Sequence, residues 1–560
     1  MTIPYNTKCS PSVNEIYQQS MRQNFDLPCL SDFSTRETLT YGDFARRIAM
    51  KHLLFKQLGV KPGDKIALLG KNNINWVVTF MATITYGAVI VPILSDFNSI
   101  DAQHIVNHSD AAVLFVSDSI WNDVSLDYMP GVKVAISLDS LNCLYSADEL
   151  DAKNILDRLQ HEFNLAYPKG FNADDVVYQS FPDDSVAIIN YTSGTTGFSK
   201  GVMLTMRSLW GNITFGMKSK LHWRASRALS FLPLAHAYGC AFDMLVPIAV
   251  GTHLTLLGRQ PAPRILLQAL AEVRPSLIIC VPLILEKIYK RMIVPVITKR
   301  TMRWALAIPF VDRAIYPVIR KKLIDAFGGE FSQVIVGGAP LNPEVEDFLC
   351  RIKFPLTVGY GMTECGPLIS YTYYEQFIPT SSGRTLPGLM EAKIISEKPG
   401  QPGEIVVRGT NVMAGYYKKP DETANIIDED GWLHTGDMGT LGGPDGQTIF
   451  IRGRYKTMLL SSTGQNIYPE EIEGKLNNMP YVAESLIVMR DGHLAALVYP
   501  DSEQCDKDEI SDSQLPEIME NNRVELNKIV APYERVDSIK LMEQEFEKTP
   551  KRSIKRFLYN

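Results

Sequence analysis

The residues at 191–201, YTSGTTGFSKG, hold three glycines, three threonines, two serines and one lysine. Glycines let a backbone turn tightly and approach a ligand closely. Successive backbone N–H groups then form a concave donor array for oxyanions, and hydroxyls extend it. Lys200 adds a point charge for an outer phosphate. The chemistry of Thr192, Ser193, Gly194, Thr195, Thr196, Gly197 and Lys200 is that of a polyphosphate cradle. It is not a Walker A loop, which needs G-x-x-x-x-G-K-[ST] leading into a helix. Here Gly194 and Gly197 are three apart, the lysine follows Ser199, and GVML (201–204) reads as a strand.

Such a loop needs a rigid mount. Apolar runs suited to buried parallel strands recur at 65–70, 88–93, 111–118, 133–138, 185–193, 276–282 and 331–338, with helical patterns between them. That alternation predicts α/β layers with parallel sheets. From about 384 the texture changes to short alternating strands (AKIISE, GEIVVRG, TIFIRGR) with Gly/Pro/Asp turns, the mark of an antiparallel subdomain. A boundary is expected near Arg452–Arg454, dividing the chain into 1–452 and 453–560. Within the second part, Pro469-Glu470-Glu471 announces a helix, another is expected near 514–530, and 501–513 reads as an acidic surface loop. Ile74 to Leu94 is uncharged over 21 residues, long enough to span a bilayer. Its interspersed polar residues, Gly87 and Pro92 predict instead a buried helix to Tyr86, a turn, and a strand at Ala88–Val91.

At 560 residues the chain exceeds one core. It is 45% hydrophobic and 21% charged, with a net charge of −6, which gives no basic surplus for nucleic acid. Its eight cysteines are scattered without a C-x-x-C, as in reduced thiols. The N-terminal residues show neither a basic n-region nor an apolar h-region, and a cytoplasmic protein is expected.

YTSGTTGFSKGVML resembles the phosphate-binding signature of adenylate-forming enzymes: acyl-CoA synthetases, luciferases and peptide-synthetase adenylation domains. Companion segments appear in order: LTYGDFARRI (39–48), GVKPGDKIALLGKNNINW (59–76), FLPLAHAYG (231–239), VGGAPLNPEVEDF (336–348), VGYGMTECG (358–366), GWLHTGDMG (431–439) and FIRGRYKTMLLSSTGQNIYPEEIE (450–473). The resemblance implies a large N-terminal domain of two α/β layered subdomains plus a small antiparallel β subdomain. A small, mobile α+β C-terminal domain follows, pivoting at Gly453. It implies that ATP is held by the loop, by Gly338 and Ala339, and by Tyr360, Gly361 and Met362 at the adenine. Thr363 would meet the α-phosphate, Glu364 would bind Mg²⁺, Asp437 the ribose hydroxyls, and Arg452 and Arg454 the ribose or phosphate. His236 would lie beside the acyl pocket, and Gly464 in a tunnel for the CoA thiol. Cys365 reads as a buried thiol, because the chemistry needs no enzyme thiol.

The C-terminus departs from the pattern. Where relatives carry T-P-x-x-K-[IVL]-x-R, this chain has TPKRSIKR at 549–556, which sets Ser553 at the lysine position. That lysine offsets the charge when a carboxylate attacks a phosphate, and losing such a contact typically costs about 10²–10³ in rate. Lys551 and Lys555, two residues to either side, are candidate stand-ins. Gly453 and Thr457 stand where relatives often carry Asp.

The activity implied is ATP-dependent acyl-adenylate formation followed by acyl transfer to CoA, most like the long-chain fatty acyl-CoA ligases. A carrier protein's phosphopantetheine as acceptor, and a nucleotide- and acyl-binding protein with weak turnover, stay open as alternatives. So does the choice between monomer and homodimer. A long apolar substrate accords with peripheral membrane contact, although no basic amphipathic helix stands out in the sequence.

Overall fold

A computed structural model describes residues 10–192, 199–258, 262–297, 299–307, 311–396, 398, 401–460, 466–490, 493–549 and 553–559. The runs expected as strands form them. Five parallel strands, Val186–Thr192, Val89–Ile93, Lys65–Leu69, Val113–Val116 and Val134–Ser137, make the centre of an eight-stranded sheet. One edge is antiparallel, with Lys200–Thr205 and then Gly415–Tyr416 added beyond Val186–Thr192. The other edge ends at Cys143–Ser146.

A second layer carries a three-stranded parallel sheet of Ile278–Cys280, Val334–Val336 and Leu356–Val358. A further four-stranded sheet brings Pro28–Asp32 beside His253–Leu256. Two large hydrophobic cores fill these layers. The antiparallel subdomain is a sheet in the order Met390–Ile395, Gly403–Gly409, Leu433–Gly442, Thr448–Arg454. Residues 467–536 contribute a core of their own around the strands Val482–Arg490, His493–Pro500 and Ser538–Leu541.

The uncharged run at 74–94 is a core helix followed by a strand. Helix Ile74–Tyr86 starts at Asn73, whose side chain accepts from the Trp76 N–H, and stops at Gly87. Gly87 has φ of +85°, and a Cβ there would lie 2.2 Å from the Phe181 ring, so only glycine ends the helix at this point. Two of the helix's buried threonines are satisfied locally: Thr83 and Thr85 donate to the carbonyls of Thr79 (2.8 Å) and Met81 (2.6 Å). Among the described residues no helix is long and apolar enough to cross a membrane.

One expectation is corrected. Residues 501–513 are not simply a loop. Ser502–Lys507 is a helix capped by Asp501, and it turns Cys505 into the C-terminal core. The polar composition of this segment hid the inward-facing Cys505, with Ile510 partly buried against the same core.

Candidate active site

The glycine-rich stretch sits on a hairpin. Strand Val186–Thr192 returns as Lys200–Thr205, and Thr192 pairs directly with Lys200 across its neck. Strand follows loop, as the sequence predicts. Ser193, Gly194, Thr195, Thr196 and Gly197 lie outside the described residues. The neck shows how the lysine is aimed. Strand Gly415–Tyr416 adds antiparallel to the hairpin, with Tyr416 opposite Val202. The Lys200 ammonium lies 4.8 Å from the Tyr416 ring centroid and forms an ion pair with Glu422. Hydrogen bonding from Lys200 holds the Glu422 carboxyl below the usual carboxylate range. The Tyr416 hydroxyl donates to Glu364 Oε1 at 2.9 Å. Burial, with the Glu364 charge beside it, pushes the Tyr416 phenol well above its ordinary value. Cation, phenol and carboxylate therefore line up from the loop to the TEC segment.

That segment is a single helical turn, Thr363–Cys365, in which all three residues are buried. Its geometry comes from backbone approach and two buried asparagines. Asn212 accepts from the Leu368 N–H at 3.1 Å, and Asn411 donates to the Leu368 carbonyl at 2.7 Å. The Met413 N–H reaches the Glu364 carbonyl at 2.8 Å. The Met362 N–H donates to the Pro367 carbonyl at 2.9 Å. At Gly361 a Cβ would lie 2.2 Å from the Pro367 carbonyl oxygen, a backbone atom with no freedom to retreat. Gly361→Ala should therefore lower stability by about 2 kcal/mol or more, in the range of core overpacking. It should also displace Tyr360, so that the melting temperature and nucleotide affinity fall together. Cys365 is fully buried, and burial pushes its thiol well up, which suits an inert side chain.

Tyr360 and Asp437 meet at the other end. The Tyr360 hydroxyl donates to Asp437 Oδ2 at 2.6 Å. Arg454 Nε lies 3.4 Å from Asp437 Oδ1, because the two residues are register partners across adjacent strands. The Asp437 N–H donates to Thr435 Oγ1 at 3.1 Å. Burial raises the Asp437 carboxyl above its ordinary value, against the lowering effects of Arg454 and Tyr360. An aromatic ring, a largely buried carboxylate and a guanidinium are thus held together.

Gly337 is buried against Tyr238, whose ring a Cβ would meet at 3.1 Å. Gly338 has φ of +88°, and Gly338 and Ala339 are exposed at the end of strand Val334–Val336. His236 caps the short helix Ala237–Gly239 and is half-buried. Asn190, on the hairpin strand, donates to the Ala235 carbonyl at 2.9 Å and so ties the segment next to His236 to the loop's mount.

Residues 17–417 match the model of the AMP-binding enzyme family. The chain belongs to this family of AMP-binding enzymes. It is similar to a long-chain-fatty-acid–CoA ligase of Rattus norvegicus, 27% identical over 90% of this chain and 79% of the relative. It is also similar to a 4-coumarate–CoA ligase of Vanilla planifolia, 30% identical over 83% of this chain and 79% of the relative. A peroxisomal long chain acyl-CoA synthetase of Arabidopsis thaliana is 30% identical over 77% of this chain and 63% of the relative. In fold the chain resembles an ATP-bound RpMatB–BxBclM chimera, with a TM-score of 0.75 at 19% identity over 98% of both chains. It resembles likewise the o-succinylbenzoate CoA synthetase of Bacillus subtilis with its acyl-adenylate, with a TM-score of 0.73 at 20% identity over 97% of this chain and 98% of that one.

In this AMP-binding enzyme, Mg²⁺ suits the donor set. Glu364 offers a carboxylate with one oxygen engaged by Tyr416, and a hard cation bound mainly through substrate phosphates needs only one or two protein carboxylates. Among the described residues there is no cluster of three His, Cys, Asp or Glu able to hold a metal by itself.

Of the C-terminal candidates, the described Lys555 pairs away from Glu364. Lys555 Nζ lies 3.4 Å from Glu547, Ser553 is exposed, and Lys551 and Gly464 lie outside the described residues. The anchor of the tail is Arg556, which forks onto Glu473 on helix Pro469–Leu476 (2.9 Å for one of two hydrogen bonds) and lies 3.6 Å from Glu470. Glu470 in turn accepts from Thr457 Oγ1 at 2.6 Å. The threonine at 457 therefore keeps a polar link to the helix. Gly453 sits against the same group: a Cβ there would be 3.1 Å from both Glu470 and Tyr468. Arg452 pairs with Glu471 on helix Pro469–Leu476 at 3.5 Å, whereas Arg454 is the arginine beside Asp437.

Sequence reading missed Tyr416 and Glu422. The only sign was the tyrosine pair in GYYKKPDE (415–422), which carries no spacing of its own.

Proposed function

We propose that this protein is an AMP-forming ligase that activates a long-chain fatty acid as its acyl-adenylate and passes the acyl group to CoA. The observation that carries this reading is the line from Lys200 through Tyr416 and Glu364 to the Tyr360–Asp437–Arg454 group. It matches a nucleotide read end to end, from polyphosphate to α-phosphate to ribose and base. Lys200 would bind the outer phosphates, Thr363 the α-phosphate, and Asp437 the ribose diol, with Tyr360 packed on the base. Mg²⁺, held by Glu364, would neutralise charge on the phosphates as the carboxylate attacks. Gly337, Gly338 and Ala339 would form the wall between base and acid, with His236 at the reacting carboxylate. The chain would divide at 452/453, with Gly453 as pivot between the two half-reactions and Gly464 lining the path of the CoA thiol.

Long-chain preference is supported by the names of several relatives and opposed by the similarity to 4-coumarate ligases. AMP release measured across carboxylic acids of graded length, with CoA or a carrier protein as acceptor, tests it. Highest turnover with long-chain acids and CoA is expected. A preference for 4-coumarate or for the carrier would overturn it.

Ser553 leaves the adenylation cation to a neighbour. Lys551→Met or Lys555→Met should slow fatty-acid-dependent pyrophosphate exchange by about tenfold or more, and Ser553→Lys should raise it. If neither methionine variant slows exchange, no stand-in exists.

A further inference from the structure

The helices after strand Ile278–Cys280 carry a charge pattern unlike the rest of the chain. Residues 287–322 hold ten lysines and arginines against one acidic residue, Asp312, in a chain of net charge −6. The segment is spanned by the helices Pro282–Met292, Val294–Ile297, Arg300–Ala307 and Asp312–Ala326, each packed on the next. The first and last turn Leu285, Ile288, Ile319 and Leu323 inward.

The outward faces are basic and studded with apolar side chains. Arg300 and Trp304 stand one turn apart on one helix, and Trp304 is 68% exposed. Val318, 56% exposed, shares an outward face with Lys321 and Lys322. Leu283, Lys287 and Arg291 are exposed on the first helix. Among the described residues, no carboxylate pairs with Lys287, Arg291, Lys299, Arg300, Lys321 or Lys322. Two nearby acids have other partners: Glu286 accepts from the Asn342 N–H at 3.0 Å, and Asp347 pairs with Arg351.

We propose that this helical lobe is a docking surface for an anionic lipid bilayer. Unpaired cations on one face meet lipid phosphates, tryptophan prefers the headgroup level, and leucine and valine enter the acyl boundary. Outward aliphatic side chains favour lipid over nucleic acid, where they have no base to stack on. Sequence reading missed the surface because its cations are spread along a segment of four successive helices. Only packing gathers their outer faces.

The lobe also adjoins the site. Val281, at the start of its first helix, lies 3.7 Å from the position of a Cβ at Gly338. Delivery of a membrane-dissolved acid at this point rests on the ligase reading, whereas binding of the bilayer does not.

Co-sedimentation of the full chain with phosphatidylcholine vesicles, with and without phosphatidylglycerol, tests the proposal. Binding to the anionic vesicles alone is expected, weakening with salt. Each basic residue near such a surface is worth about 1 kcal/mol, so Lys321→Glu/Lys322→Glu should weaken it by more than about tenfold. Trp304→Ser should weaken it on the same vesicles, and provides a second variant should the charge reversal perturb folding. Equal binding to neutral vesicles, unchanged binding by both variants, or capture by polyuridylate without vesicle binding would overturn the assignment. The assay contains no ATP, acid or CoA, so its failure leaves the ligase reading standing. Both variants should keep AMP release with detergent-dispersed acid.

Discussion

Glu364→Gln lowers acyl-adenylate formation by about 10²–10³-fold and leaves the fold intact. Glutamine keeps an oxygen to accept from Tyr416, so the turn at Thr363–Cys365 and its asparagine clamps should persist. What disappears is the negative charge that, on the proposed reading, faces the α-phosphate and binds Mg²⁺. Fatty-acid-dependent exchange of pyrophosphate into ATP measures the loss, and a thermal melt within a degree or two of the parent confirms the fold. Raising Mg²⁺ should recover part of the activity. An unchanged exchange rate would remove Glu364 from the chemistry and leave it a structural partner of Tyr416.

The second large effect is at Asp437. Asp437→Asn retains the shape and can still accept from Tyr360, but it no longer offers a charged acceptor to a diol. Hydrogen bonds to a charged group are worth about 1.5–3 kcal/mol each. Losing the charge toward two hydroxyls therefore predicts a fall of about 10²-fold or more in kcat/KM for ATP. The loss should appear mainly in KM for ATP, with KM for the acid little changed. Because burial raises the Asp437 carboxyl, ATP binding should begin to fail on the acid side at a higher pH than an ordinary aspartate would allow. In the asparagine variant that acid limb should vanish. If the melting temperature falls while KM for ATP holds, Asp437 serves only to clamp Tyr360 to Arg454.

Local sequence signals carried a long way here. Gly87 ends a helix that its neighbours would otherwise extend, and Asn73 starts it, so a stretch long enough to span a bilayer reads correctly as helix, turn and strand. The hairpin at 186–205 follows from β-branched and apolar runs on both sides of a glycine-rich loop. Tyr360, Glu364 and Asp437 were legible because each sits in a motif with its own spacing. Tyr416 and Glu422 were not, since their roles depend on a strand over 200 residues distant in sequence that pairs with the loop's own strand. The short helix at 502–507 escaped for a related reason: one buried cysteine in a polar run shows no period.

The sequence by itself determined the order of strands and helices, the motifs that hold Tyr360, Glu364 and Asp437, and the serine at 553. All of these are written in local composition and in motifs of a few residues. Tertiary structure alone decided which distant side chains share a site. It carried Lys200, Tyr416 and Glu364 into one line, pinned the tail through Arg556 to Glu473, and collected scattered cations onto one helical lobe. Such meetings arise from sheet register and helix packing, which bring together residues that no local period or spacing connects.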